Sequence, residues 1–214
     1  MNFVPFSREE RIHITQGQLP HWQQRRRTYF ITWRTADSIP VQLLKQWISE
    51  RDAWLLEHFV SLDRLNTLPG AKRREYHDRF SRRWQNYLDD GHGECLLKRE
   101  DIRDLVETAL RHFDGQRYHL GDFVLMPNHV HVLVTPAADE DLEKLCFSWK
   151  RFSGGSINEH LDRRGEFWQP ESFDHIVRSA AALRRIQDYI AENPRKAGLR
   201  PGEFTLYQPT SWRQ

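Results

Sequence analysis

Cysteine is scarce in this chain of 214 residues: Cys95 and Cys146 are the only two, and they lie far apart. That spacing offers neither a zinc knuckle nor a disulfide framework. No apolar run approaches the roughly 20 residues that a membrane-spanning helix needs. The first residues, MNFVPFSREERIHI, lack the basic-then-apolar order of a signal peptide. The cytoplasm is therefore the expected location. Charge of one sign is also missing, since 32 Lys and Arg stand against 30 Asp and Glu for a net charge of +2. Total charge thus does not mark a nucleic-acid binder. There is no internal repeat and no low-complexity tract.

What is present fits a folded, soluble protein with amphipathic helices. Eight tryptophans argue against a disordered tail, and 29% charged residues with a mean hydropathy of −0.77 suit solvated helix faces. The length suffices for a buried core and one domain. Basic residues recur in clusters: Arg25-Arg26-Arg27, Arg73-Arg74, Arg82-Arg83, Arg163-Arg164 and Arg184-Arg185. Solvated helix faces explain any one cluster. Several converging on one groove would bind phosphates.

Residues 1–27 read as a polar, irregular N-terminal extension. Thr28 to Arg34 is a strand, dense in aromatic and β-branched residues. Leu44, Trp47, Ile48, Trp54, Leu55 and Phe59 predict an amphipathic helix over about 41–60. A second helix is predicted around Tyr76, Phe80, Trp84 and Tyr87. Together they form a helical insertion over about 40–95. A third helix carries Ile102, Leu105, Val106, Ala109, Leu110 and Phe113, with His112 near its end. Tyr118 to Met126 and the run after Pro127-Asn128 read as a hairpin. Leu142 to Phe152 predicts a fourth helix, and Ser153-Gly154-Gly155-Ser156 a flexible connector. Phe167-Trp168-Gln169-Pro170 and Phe173 to Arg178 look like loop and edge strand. Ser179 caps a last helix that Asn193-Pro194 should stop. This order predicts an α+β fold: a ferredoxin-like antiparallel sheet with helices on one face and a helical elaboration between the first two strands.

One stretch carries chemistry. In Leu125-Met-Pro-Asn-His-Val-His-Val-Leu-Val134, strand periodicity points His129 and His131 to one face. Two such imidazoles can share a divalent metal. They can equally be half-exposed strand residues. Tyr189 and Asn193, four apart on the last helix, share a face. Tyr189 is also explained as a packed residue with a wet hydroxyl, and Asn193 as a helix terminator.

Taken together, these segments resemble a known family. Met126 to Val134 is similar to the histidine–hydrophobe–histidine (HUH) motif of single-tyrosine transposases. Tyr189-Ile-Ala-Glu-Asn-Pro-Arg-Lys-Ala-Gly-Leu199 resembles the tyrosine helix of one branch, the REP-associated tyrosine transposases. Leu19-Pro20-His21-Trp22 with Tyr29 to Thr32, Phe167-Trp168-Gln169, and Phe173 to Arg178 also fit that branch. The resemblance touches most of the chain outside about 40–95.

The resemblance implies a nuclease that nicks single-stranded DNA at hairpin-forming palindromic repeats and transfers the strand. It makes His129, His131 and Asn193 the metal ligands and Tyr189 the nucleophile, forming a 5′-phosphotyrosine. Mixed nitrogen and oxygen donors suit Mg²⁺ or Mn²⁺, and no cysteine lies near the pair to favour zinc. His119 and His175 are candidates to assist Tyr189. DNA contacts are expected from Arg25, Arg26, Arg27, Trp22, Lys150, Arg151, Trp168 and Arg178, with stacking of unpaired bases on the tryptophans. The partner is single-stranded DNA with hairpins and no membrane, bound by a monomer or homodimer. A retired transposase that binds hairpins as a regulator without cutting, and a metal-dependent hydrolase of other substrates, are the alternatives.

Overall fold

The computed structural model describes residues 3–11, 13–16, 20–81, 83 and 91–212. Its strands are β1 (His13–Gln16), β2 (Pro20–Gln23), β3 (Tyr29–Arg34), β4 (Tyr118–Leu125), β5 (His129–Pro136), β6 (Phe173–Ile176) and β7 (Thr205–Tyr207). Its α-helices are α1 (Val41–Glu57), α2 (Gly70–Tyr76), α3 (Glu100–Arg111), α4 (Leu142–His160) and α5 (Ala180–Lys196). Five strands form one sheet in the order β6-β3-β5-β4-β7, with every neighbouring pair antiparallel. The fold is α+β. The path β3–α3–β4–β5–α4–β6 is a β-α-β-β-α-β chain in which β5 lies between β3 and β4.

Strand alternation assigns the two faces. Tyr29, Ile31 and Trp33 of β3 and Val130, Val132 and Val134 of β5 point to the face covered by α3 and α4. There Ile102, Val106 and Leu110 meet Leu145, Trp149 and Ile157 in the main core. Phe30, Leu133 and Val124 point the other way, against Leu183, Ile190 and the buried Trp212. The expectation of helices on one face therefore holds for α3 and α4 only. The last helix, α5, covers the opposite face, because its apolar stripe has a second half-sheet of Phe, Leu and Val to bury.

Four further differences concern single elements. The N-terminal extension, read as irregular, contains the β1–β2 pair, with Ile14 opposite Trp22. The Ser153 to Ser156 connector is the middle of α4 instead of a break. Ser153 Oγ donates to the Trp149 carbonyl at 2.6 Å and accepts the Trp168 indole N–H at 2.9 Å. A Cβ on Gly154 would stand 3.2 Å from Trp168 Cδ1, so glycine there admits a ring and does not loosen the helix. Asn193-Pro194 does not stop α5, which runs to Lys196 with Pro194 inside it. Strand β7 was not foreseen. The buried Arg103 guanidinium donates to the Gly202 carbonyl and to Thr205 Oγ1, which anchors that short strand beside β4.

Residues 41–81 build their own apolar cluster, in which Trp47, Trp54, Leu55, Tyr76 and Phe80 are buried. The second predicted helix is α2 followed by a π-turn over His77–Ser81. Trp84 and Tyr87 lie outside the described residues.

The centre of the sheet tolerates no added atom at Gly121, where β4 shifts register between Leu120 and Phe123. A Cβ there would sit 2.9 Å from Leu133 Cβ and 3.0 Å from two ring carbons of Trp212. Gly121→Ala is expected to cost about 1–3 kcal/mol, the usual penalty of overpacking. Urea unfolding measures it, and an unchanged midpoint would mean that the Trp212 ring gives way freely.

Candidate active site

Strand pairing decides what surrounds the two histidines. Thr32 lies opposite His131 and Arg34 opposite His129 across the β3–β5 ladder. Both imidazoles are buried, with 1% and 2% of their surfaces exposed. Their Nε2 atoms converge to 3.1 Å. Two nitrogens each about 2.1 Å from an ion and that far apart would subtend roughly 95° at it, the angle of neighbouring ligands in an octahedral shell.

The other ring nitrogens are held from behind. Asn128 Nδ2 donates to the His92 carbonyl at 3.0 Å, which turns Asn128 Oδ1 toward His129 Nδ1 at 2.8 Å. His129 therefore carries its proton on Nδ1 and presents a lone pair at Nε2. His131 Nδ1 shares a 2.7 Å hydrogen bond with Thr32 Oγ1, a hydroxyl that can donate or accept. Its acceptor rotamer leaves His131 Nε2 with a lone pair as well. Neither Asn128 nor Thr32 is a site candidate on the sequence alone. Asn128 was legible in principle as the polar turn residue before His129, whereas Thr32 needed the register of β3 against β5.

Helix α5 brings the tyrosine. Ser179 Oγ accepts from the Ala182 amide and fixes its start. Leu183 and Ile190 bury against the sheet, and Tyr189 lands with its hydroxyl 3.3 Å from His131 Nε2. Its ring meets His131 and Phe30 edge-on, and Phe30 stacks on the His131 ring. Tyr189, whose spacing equally fits a packed core residue, is half-buried with its hydroxyl at the histidine pair. Asn193, one turn later, is 2% exposed, and its Oδ1 is buried without a hydrogen-bond partner among the described residues. Such an orphan costs about 1–3 kcal/mol.

These donors fit a hard or borderline divalent ion: two neutral imidazole nitrogens and one unengaged amide oxygen. Among the described residues no group of three His, Cys, Asp or Glu side chains could hold a metal, so the pair needs the amide oxygen, water or a phosphate oxygen to complete a shell. Arg34 places a guanidinium beside His129. Burial pushes it down to about 9, so it stays charged at neutral pH.

Burial also pushes His131 down to about 3 and, helped by the His131 and Arg34 charges, His129 well below its ordinary value. A histidine whose folded pKa is depressed contributes stability above its unfolded pKa, near 6.5, and loses it as pH falls toward the folded value. Each pH unit in that window is worth about 1.4 kcal/mol for one such group. The metal-free protein should thus lose about 2 kcal/mol through His131 between pH 6.5 and 5. His131→Gln should flatten that slope in denaturant titrations, and an equal slope in both proteins would refute it.

The remaining candidates divide. His119 pairs with Thr135, four residues along β5 from His131 and hence about 13 Å away. His175 pairs with Phe30 on the far side of β3. The ladder thus brings neither beside His131. Arg25 and Arg26 are exposed but share a cavity of about 430 Å³ with Asp139, Glu140 and Asp141. Arg27 pairs with Glu10, and Arg178 is exposed. The side chain of Trp22 lies outside the described residues. Lys150, Arg151 and Trp168 do meet, along a groove of about 720 Å³ between α4 and the 165–172 segment that also holds the exposed Phe147. This cavity contains none of His129, His131 and Tyr189. Trp168 departs from the expected stacking role: it is 5% exposed, bonded to Ser153 and edge-on to Trp33, so it offers no free face for a base.

Residues 94–193, a little under half of the chain, match the family model described as "Transposase IS200 like". The matched segment runs from just before α3 to Asn193 and contains both histidines and Tyr189, while residues 41–81 lie outside it. No curated protein matches the chain. Among solved structures, a REP-associated tyrosine transposase bound to a REP hairpin is similar, at 14% identity over 86% of this chain and 76% of that one, with a TM-score of 0.48.

Proposed function

We propose that this protein nicks single-stranded DNA beside a hairpin and rejoins the strand, with Tyr189 as nucleophile and His129, His131 and Asn193 as ligands of a divalent ion, Mg²⁺ or Mn²⁺. The observation that carries this reading is the 3.3 Å approach of the Tyr189 hydroxyl to His131 Nε2, itself 3.1 Å from His129 Nε2. A buried pair of converging imidazole nitrogens beside a phenol is what phosphoryl transfer to tyrosine needs. The match to IS200-like transposases over the same residues supports it.

When bound, the ion would neutralise charge on a non-bridging phosphate oxygen. The chain supplies the rest. Asn128 and Thr32 hold the imidazoles so that both Nε2 atoms face one point. Arg34 adds fixed positive charge beside His129, suited to the phosphodiester anion. Tyr189 Oη forms a bond to phosphorus as the bond from phosphorus to the 3′ oxygen breaks. The phenol loses its proton, the departing oxygen gains one, and the products are a 5′-phosphotyrosine and a 3′-hydroxyl. Attack of another 3′-hydroxyl reverses the step, so strand transfer requires no nucleotide cofactor. Because both imidazoles are covered in this conformation, substrate entry requires displacement of the groups above them.

The test incubates the protein with hairpin-bearing single-stranded DNA and Mn²⁺ or Mg²⁺, then looks for a denaturation-resistant protein–DNA adduct. An adduct that requires the divalent ion supports the reading. Tight binding with no adduct across a panel of hairpins would favour a non-cutting regulator instead.

A further inference from the structure

We infer that the helical elaboration between β3 and α3 is a second DNA-binding surface, one that grips the phosphate backbone of duplex DNA without reading sequence. It deepens the proposed function, since duplex is what the stem of a hairpin offers, and it concerns residues outside the family match.

The charge distribution points there. Residues 70–83, GAKRREYHDRFSRR, hold six Lys and Arg against two Asp and Glu, a net +4 in a chain whose total is +2. The remaining 200 residues therefore sum to −2. The fold turns this charge outward. Tyr76 and Phe80 bury into the cluster with Trp47 and Trp54, while Lys72, Arg73, Arg74 and Arg79 are exposed. The cluster is thus an apolar base that presents a cationic rim.

Acid offsets only part of that rim among the described residues. Lys72 pairs with Glu75 at 2.9 Å, an exposed contact of small worth. Arg83 pairs with Glu50. Arg74 and Arg79 form no salt bridge with a described residue. The other arginine clusters compare poorly: Arg25 and Arg26 face three acids, and Arg163 pairs with Glu94.

Duplex is favoured over single strand by the burial of Tyr76 and Phe80, the tyrosine and phenylalanine among the described residues of the rim. Sequence-tolerant binding of unpaired strands combines positive charge with aromatic faces for the bases. Here Tyr76 and Phe80 are buried, and Arg79 lies over the Phe80 ring at 5.4 Å. Exposed charge above buried rings fits a regular backbone, which offers one phosphate charge per about 1.7 Å of helix axis.

The experiment compares wild type with the quadruple variant Lys72→Gln, Arg73→Gln, Arg74→Gln, Arg79→Gln by fluorescence anisotropy. The probes are a labelled stem-loop of about 20 base pairs and arbitrary sequence, and an unpaired strand of equal length. On the stem-loop the variant should lose at least about tenfold in affinity near 0.1 M salt. Its slope of log K against log salt should fall by about 3–4, at roughly 0.9 per lost phosphate contact. On the unpaired strand it should change less than about twofold. Matching circular dichroism and melting temperature show that the variant is folded; if it is not, Arg74→Gln/Arg79→Gln is read for a fall in slope of about 2. Unchanged stem-loop affinity and slope would overturn the inference, as would equal loss on both probes. Tighter capture by phosphatidylserine vesicles than by the stem-loop would transfer the surface to a membrane. Adduct formation is scored in parallel. A wild type that makes no adduct, with a variant that still loses stem-loop affinity, defeats the nicking mechanism and leaves the surface standing.

Discussion

Tyr189→Phe is expected to abolish the covalent protein–DNA adduct and to lower nicking by more than about 10³-fold, the order reached when a nucleophile is removed. Phenylalanine keeps the ring that meets His131 and Phe30 edge-on. It gives up one 3.3 Å hydrogen bond at a half-buried position, worth about 0.5–1.5 kcal/mol. Stability should therefore fall only slightly, and hairpin affinity should stay within about twofold, since phosphate contacts elsewhere on the surface dominate binding. That separation gives the test its force. A gel showing the adduct in the variant would move the nucleophile to another side chain. Loss of adduct together with loss of binding would point to a misplaced α5 and call for the melting curve before any chemical conclusion.

His131→Ala should be as damaging to activity, by a different route. The residue supplies one of two converging nitrogens, and the remaining donors cannot enclose an ion. Mn²⁺ affinity, by calorimetry on DNA-free protein, should drop by more than about 100-fold. Thr32→Val and Asn128→Leu, which only unsettle the imidazoles, should cost about 10–100-fold. Asn193→Ala should weaken binding and relieve the orphaned carbonyl oxygen, so its melting temperature should not fall. The ordering is the informative result. If Thr32→Val cost more than His131→Ala, the hydroxyl and not the imidazole would be the ligand. If none of the four altered Mn²⁺ binding, the ion site would lie elsewhere. Removing the metal from wild type with a chelator should reproduce the His131→Ala loss of nicking and leave hairpin binding intact.

Parts of this arrangement were legible in one dimension. The alternation of His129, Val130, His131, Val132 fixes which side chains share a face, because a strand has a period of two whatever it pairs with. The apolar stripe of α3, the Ser179 cap and the helical content of the 41–81 segment follow equally from local spacing. Other elements were misread for reasons that also lie in the tertiary contacts. Ser153 to Ser156 has a loop composition, yet Trp168 needs the space a glycine leaves and binds Ser153. Pro194 is a helix breaker that α5 accommodates for two more residues. Trp168, an aromatic in a polar segment, resembles a stacking platform until its burial beside Trp33 is seen.

That His129 and His131 project together, and that Tyr189 and Asn193 lie one turn apart, requires only the periods of strand and helix. The tertiary structure alone decided that Tyr189 meets the histidine pair. The antiparallel β3–β5 register set Thr32 behind His131, and α5 covered the face of the sheet that α3 and α4 leave open. The hydroxyl of residue 189 reached the imidazole of residue 131 because burying Phe30, Leu133, Leu183 and Ile190 together left that approach. The physical reason is the range of the forces: spacing is a property of the local backbone, whereas the meeting of distant segments is set by which apolar faces remain to be covered.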